Sequence, residues 1–418
     1  MKKVICLLAI LFLILSAAGC KEEKAEEQTE ITLLHGWGTM ESDHQVMRQI
    51  YQDFEKENPD IKLNMISMPS SEKAITKARE MLAVGKTPDM IFTGGEGKDN
   101  LYSFMVENGY ALDLMPYLKD DPEMMESVSP VILSRWLTQE GELYTVSDVL
   151  LTTGYWYNKR IFSNAGITET PSTWDEFYDC CVQIKEWAEA EKISTVPLHL
   201  EKETCLYLTA ASIGAEENEA EAVSGKIDSD ALKRGFGRLE ILKDLCSVED
   251  ESFTYRDSMR SFNFGHCAIC VNGVWAQQMI SPNLDAGYAL FPSDDGQGIG
   301  MVSACTGYLV GHSGDEEKEE ACIRFLKYML SEPVQRRILR ETGQIPSNPQ
   351  VGPDEVKKER PELYQAYQVV MEADVFQEIP ANRWNSAWIA EYHRYIAELL
   401  KKEIDTGEFL DKMQKVNK

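Results

Sequence analysis

Basic residues are scarce: 42 Lys and Arg stand against 69 Asp and Glu in 418 residues, a formal net charge of −27. A nucleic-acid partner is not expected, because phosphate binding needs a basic face. Only six His are present, and they are scattered. There is no His-Glu-x-x-His, no Gly-x-Ser-x-Gly elbow and no Gly-x-x-x-x-Gly-Lys-Ser/Thr loop, so the motifs of zinc hydrolysis, elbow-serine hydrolysis and P-loop chemistry are missing. No solenoid period and no clean interdomain linker are visible either. What is present is a globular composition, 43% hydrophobic and 9% aromatic, at a length that usually holds two or three domains.

The one long apolar run opens the chain, where Met1-Lys2-Lys3 precedes Val4 to Leu15. It is too short to span a bilayer and reads as an export signal over residues 1–19. Ala17-Ala18-Gly19-Cys20 resembles the lipobox of bacterial lipoproteins, with Ala17 where Leu is usual. That resemblance implies diacylation of Cys20 and a lipid anchor on the extracytoplasmic face of the cell membrane; ordinary signal-peptidase cleavage is the alternative. Residues 20–30 are rich in Glu and Lys, lack apolar periodicity and read as an acidic tether.

Cys6 and Cys20 set aside, eight of the ten cysteines remain. Cys180, Cys181 and Cys246 fall in helical patterns, and the eight read as buried free thiols, which pack as small hydrophobes, with disulfides among them as the alternative. Cys267 and Cys270 lie three apart in a strand-like run, where they are expected to face opposite sides. With no second pair to complete a zinc set, no metal is expected.

From Ile31 onward, strand-like and helix-like segments alternate, which marks an α/β protein. Strands are expected at 31–35, 61–66, 90–92, 143–146 and 153–157, and helices at 45–58, 71–84, 175–190, 231–246, 316–330 and 384–402. Met301 to Tyr308 reads as one strand of small residues. Thr173 with Glu176 forms a capping box, which makes the signature Trp174 a structural residue at a helix start.

Several phrases occur together in order. They are Ile31 to Gly38, Gly85-Lys-Thr-Pro-Asp-Met-Ile-Phe92, Thr153 to Lys159, Pro171-Ser-Thr-Trp-Asp-Glu-Phe177, Phe262 to Trp275 through Asn272-Gly273, and Ser331 to Pro346. Together they resemble the extracellular solute-binding proteins of bacterial ABC importers, in their carbohydrate-binding group, over almost the whole mature chain. The resemblance implies a two-lobed periplasmic-binding-protein-like (type II) α/β fold with a hinge and an interlobe ligand cleft. It places residues 31–149 plus 291–331 in the N-terminal lobe and 150–290 plus 332–418 in the C-terminal lobe. Crossings are expected near Val149–Thr152, Leu290–Pro292 and Leu330–Glu332. It further implies a carbohydrate ligand, a membrane permease as partner, no cofactor, no catalysis and a monomer.

Sugars present apolar CH faces and a ring of hydroxyls, so their sites combine aromatic platforms with carboxylates and amides. Trp37, between two glycines after the first strand, is a candidate platform. Glu96 follows the strand 90–92 and offers a carboxylate. Asp148, beside the first crossing, is placed either to bind ligand or to brace the hinge. Trp156 must point away from Tyr155 and Tyr157 in a strand. By resemblance, Trp275 and Trp384 are stacking residues, with Trp388 left to the core. A solute-binding protein for a polyamine, phosphate or iron, and an extracellular glycoside hydrolase, remain alternative readings.

Overall fold

The computed structural model describes residues 28–94, 101–213, 229–304, 307–373, 375–377, 379–380, 384 and 386–414. Cys20, the export signal and Glu96 lie outside these residues. Strands β1 (Thr29–His35), β2 (Ile61–Ser67) and β3 (Met90–Gly94) alternate with helices α1 (Ser42–Glu57) and α2 (Ser71–Ala83). α1 buries Met47, Ile50, Tyr51 and Phe54, one face of a 3.6-residue period. α2 starts where the Ser70 side chain accepts the Lys73 N–H, and it buries Ala74, Ile75, Ala78 and Leu82. β1 therefore lies between parallel β2 and β3, its Ile31, Leu33 and Leu34 sealed under helices.

Strand β4 (Thr145–Val146) and β11 (Gly307–Val310) complete this first sheet in the order β2-β1-β3-β11-β4. Helix α3 (Trp174–Glu191) begins in the full Thr173–Glu176 capping box, an arrangement worth about 1 kcal/mol per cap. Trp174 is buried beneath the Arg238 guanidinium, 4.4 Å above its ring, which fits the structural role read from its position.

The second sheet is built around the ten-residue β5 (Val149–Asn158). β6 (His199–Leu200) and β7 (Ser247–Val248) form a separate parallel pair. Helix α4 (Tyr255–Asn263) leads into β8 (Ile269–Gly273), which pairs antiparallel with β5, as does β9 (Ala286–Ala289). β10 (Ile299–Ala304) pairs antiparallel with the start of β5. Helices α5 (Glu316–Leu330) and α6 (Glu332–Thr342) return to the first core before β12 (Ile345–Pro346) joins β5 and β13 (Val375–Gln377) joins β10.

Two expected boundaries move. Residues 291–304 belong with the second sheet, because β10 holds register with Leu150–Thr153 and Phe291, Ile299 and Met301 are buried in the second core. The segment 301–308 is thus two strands in two sheets, and the chain changes lobe between Ala304 and Gly307. The last crossing follows α6, since Val334 and Ile338 pack in the first core. The first change of sheet takes place at Ser147–Asp148, between β4 and β5.

These crossings are stitched together. The Ser347 hydroxyl donates to the Ser147 carbonyl at 2.6 Å, and the Ser347 N–H donates to the Asp148 carbonyl at 3.2 Å. The buried Gln335 side chain accepts the N–H groups of Ser347 and Asn348 at 2.9 and 3.1 Å and donates to the Met329 carbonyl. A buried amide satisfied on both ends fixes the backbone around it.

The seven cysteines among the described residues are free thiols. Burial pushes the Cys180 and Cys267 thiols up, to about 11 and about 12. Cys267 and Cys270 share one apolar cluster instead of facing opposite sides, because β8 starts only at Ile269 and strand alternation does not reach Cys267.

Candidate functional site

Trp37 follows β1, flanked by Gly36 and Gly38. A Cβ on Gly36 would stand 2.4 Å from the Ser71 nitrogen, and one on Gly38 would stand 2.5 Å from the Met68 carbonyl oxygen. Only glycine lets this loop lie against the turn after β2, and that seating projects the indole. The ring stacks on Phe92 at 5.2 Å, meets His44 edge-on at 5.0 Å and donates its N–H to the Tyr51 hydroxyl at 3.0 Å. Arg48 donates to the Trp37 carbonyl. His35, whose Nδ1 accepts the backbone N–H of Trp37, is held down at about 4 by burial, with the charges of Arg48 and His44 adding to the effect. It is therefore a neutral acceptor at physiological pH.

The facing wall comes from the second lobe. After β8 the chain turns into a short 3-10 helix, Val274–Met279, which carries Trp275 and Gln278. The Trp275 ring folds back over Gly273, so close that a Cβ there would stand 1.8 Å from Cζ3. The glycine of the Asn-Gly-x-Trp phrase is thus a seat for the indole. Tyr255 and Arg256 project from the first turn of α4, where Thr254 and Asp257 form a capping box.

These walls enclose a cavity of about 500 Å³ whose lining includes Trp37, Phe92, Tyr255 and Trp275, with Glu41, His44, Arg256, Gln278 and Gln344 among its polar groups. Its lining also takes in Val149–Thr152, the start of β5 just past the first crossing. Thr152 offers a buried hydroxyl with no protein partner, a group that asks for one. At the rim, Arg256 of the second lobe pairs with Glu41 of the first at 3.2 Å. Glu41, Asp43 and His44 bring ligand atoms within 4.8 Å of one another. All three are already engaged, Glu41 with Arg256, Asp43 with the His44 backbone N–H at 2.9 Å and His44 with the Thr39 hydroxyl at 2.8 Å. The cavity thus offers aromatic faces from both lobes and short-range polar groups of both signs.

The structure brings Trp37 and Trp275 together and places Asp148, Trp156 and Trp384 elsewhere, while Glu96 lies outside the described residues. Trp156 is 2% exposed, packs edge-on against Tyr288 and donates its N–H to the Gly273 carbonyl at 3.0 Å. Both faces of β5 are covered, so alternation sends Trp156 into a core and not into the cleft. Trp384 is buried with Trp388, ring centroids 5.2 Å apart, inside the second-lobe core. Asp148 is fully buried behind the cavity; burial raises it to about 6, against the lowering effect of the Tyr308 hydroxyl that donates to it at 2.9 Å. Phe92, Tyr255, Arg256 and Gln344 were missed. Phe92 reads as a core strand residue, and the other three have no local signature.

A family model, that of the bacterial extracellular solute-binding proteins, matches residues 37–336. The chain belongs to that family. This solute-binding protein is 25% identical over 337 residues, 75% of each chain, to the multiple sugar-binding protein of Streptococcus mutans. Its fold is similar to that of a Streptococcus pneumoniae solute-binding protein solved in complex with the blood group A-trisaccharide. There the TM-score is 0.76 at 23% identity, over 93% of this chain and 99% of that one. It is also similar to a probable secreted solute-binding lipoprotein from Streptomyces coelicolor, with TM-score 0.74, 16% identity, and 93% and 98% of the two chains covered. The solute-binding protein accordingly has the two-lobed type II architecture, with the cavity between its lobes.

Proposed function

We propose that this solute-binding protein captures a carbohydrate, an oligosaccharide by the size of its cavity, between Trp37 and Trp275 and presents it to an ABC permease. The observation that carries the reading is one cavity walled by aromatic rings from both lobes, Trp37 and Phe92 on one side and Tyr255 and Trp275 on the other. Flat rings match the CH faces of a pyranose, while Glu41, Gln278, Arg256 and Gln344 match its hydroxyls. The sugar-named streptococcal relative and the trisaccharide-bound neighbour support the same ligand class. Ligand gripped by both lobes favours the closed arrangement only to the extent that it binds that arrangement better than the open one. The closed form is then what a permease would recognise. Binding proceeds without turnover, and the chain acts as a monomer held to the extracytoplasmic membrane face through lipid on Cys20. The neighbour named as a secreted lipoprotein accords with that anchor.

The test is a thermal-shift screen of the purified protein lacking residues 1–19, against mono- and oligosaccharides, with amino acids, polyamines and phosphate alongside. A ligand at 100 times its Kd stabilises by about 2.7 kcal/mol. The expected result is a shift with a saccharide that chromatography recovers unchanged. A shift confined to non-sugars, or a hydrolysed saccharide, would refute the reading. For the anchor, Cys20→Ala should release the protein from the membrane fraction; retention would refute lipidation.

A further inference from the structure

Behind the cavity wall runs a chain of hydrogen bonds that the binding reading does not use. The Trp37 Nε1–H donates to the Tyr51 hydroxyl at 3.0 Å. Tyr51 and Tyr308 share a hydrogen bond at 2.9 Å, and the Tyr308 hydroxyl donates to Asp148 Oδ2 at 2.9 Å. Since Tyr308 donates to Asp148, Tyr51 donates to Tyr308, and every proton in the series points from the cavity toward the carboxylate. The series draws on α1, β11 and the β4–β5 crossing, elements far apart in sequence. Tyr51 and Tyr308 are fully buried, and Asp148 is 1% exposed.

Asp148 stands at the first crossing between lobes, and its own carbonyl accepts from Ser347 at the last one. Its Oδ1 is buried with no hydrogen-bond partner, an arrangement that calls for an explanation. We propose that Tyr51 and Tyr308 are positioning residues that couple the Trp37 indole in the cavity to the Asp148 carboxylate at the hinge. A change in the carboxylate alters how strongly it draws the Tyr308 proton. That alters Tyr308 as an acceptor for Tyr51, and in turn Tyr51 as an acceptor for the indole. The purpose of the coupling, tuning the platform to the state of the hinge, rests on the binding reading; the coupling itself does not.

Charged groups near both ends are accounted for. Asp148 faces Tyr308 and, one step further, Tyr51; its other neighbours, Ser147, Val149 and Ser347, are uncharged. The arginines of α6 turn elsewhere, Arg336 to Glu332 and Glu355, and Arg337 to Asp53 and Glu341. At the other end Trp37 faces His44, His35 and Arg48.

The test uses the ligand-free protein, so that it stands apart from the identity of the ligand. Tryptophan emission is followed from pH 5 to 7.5 in the wild type and in Trp37→Phe, the difference being the Trp37 signal. That signal should titrate near the raised value of Asp148, about 6. It should be flat in Asp148→Asn, and flat in Tyr51→Phe, where Tyr308 still donates to Asp148 but the link to the indole is cut. Circular dichroism checks that each variant folds, and Tyr51→Phe carries the test if Asp148→Asn does not. A Trp37 signal that is flat in the wild type, or one whose titration survives in Tyr51→Phe and so does not travel through the tyrosines, would overturn the proposal. With a saccharide identified, Tyr51→Phe should also bind it more weakly, because the indole loses the bond that orients it.

Discussion

Gly273→Ala removes nothing and adds one methyl group, yet it should empty half of the aromatic cleft. The backbone there is extended, φ −79° and ψ 171°, so alanine fits without backbone strain. The new Cβ would stand 1.8, 2.1 and 2.2 Å from Cζ3, Cε3 and Cη2 of Trp275. Carbon atoms settle at about 3.5–4.0 Å, so the indole must shift by roughly 2 Å. A ring displaced that far loses face contact with its ligand, worth about 0.5–1.5 kcal/mol, or roughly three- to tenfold in Kd. Fold stability should change little, because Ala lowers unfolded-state entropy by about 0.4–1 kcal/mol in a compatible conformation and offsets part of the repacking. Titration calorimetry with a saccharide from the screen measures the loss, and thermal melting measures the fold. The decisive arm is the double variant. Once Trp275→Ala has removed the ring, Gly273→Ala should cost nothing further. An undiminished effect of Gly273→Ala in that background, or wild-type affinity in the single variant, would refute the reasoning.

Other outcomes follow from the same geometry. Asp148 is raised from 3.8 to about 6 by burial, so its ionised form costs the fold up to about 3 kcal/mol above pH 6. That cost disappears as pH falls through 6 toward 4. Asp148→Asn should therefore melt higher than wild type at pH 7.5 and converge with it near pH 4, and a lower melting temperature at pH 7.5 would contradict the assignment. Arg256→Ala breaks the exposed interlobe pair with Glu41. Stability should move by less than about 0.5 kcal/mol, while the dependence of ligand affinity on salt between 50 and 500 mM becomes flatter; an unchanged slope would remove the pair from closure. Thr173→Ala strips the capping box of α3 and should cost about 1 kcal/mol in urea unfolding without altering affinity.

How much of this could be read beforehand differs by element. The place of Trp37 at the cavity was legible because an indole between two glycines after a strand has little core to enter, and that of Trp275 only through the resemblance of its Asn-Gly-x-Trp phrase. Trp156 misled because alternation assigns opposite faces but does not say what covers each one, and here helices or strands cover both. Trp384, just before the helix Ser386–Leu400, and Trp388, inside it, share a single burial, so assigning one to the cleft and one to the core split what packing joins. The run 301–308 looked like one strand because nothing in its composition marks the point where the chain changes sheet. Tyr255, Arg256 and Gln344 reach the cavity from segments that meet only after the lobes have formed, so no local pattern announces them.

The first sheet has a consequence for how this chain comes into being. Its β4 cannot pair until β11 arrives, and the Thr145 hydroxyl that donates to the Tyr308 carbonyl spans 163 residues. A polypeptide emerging N-terminus first must therefore release the second-lobe residues between β4 and β11 before the first lobe can close. Contacts of that separation form slowly. A nascent chain that stays open this long remains threadable, the condition under which a protein destined for the outside of the cell can be passed through a narrow channel.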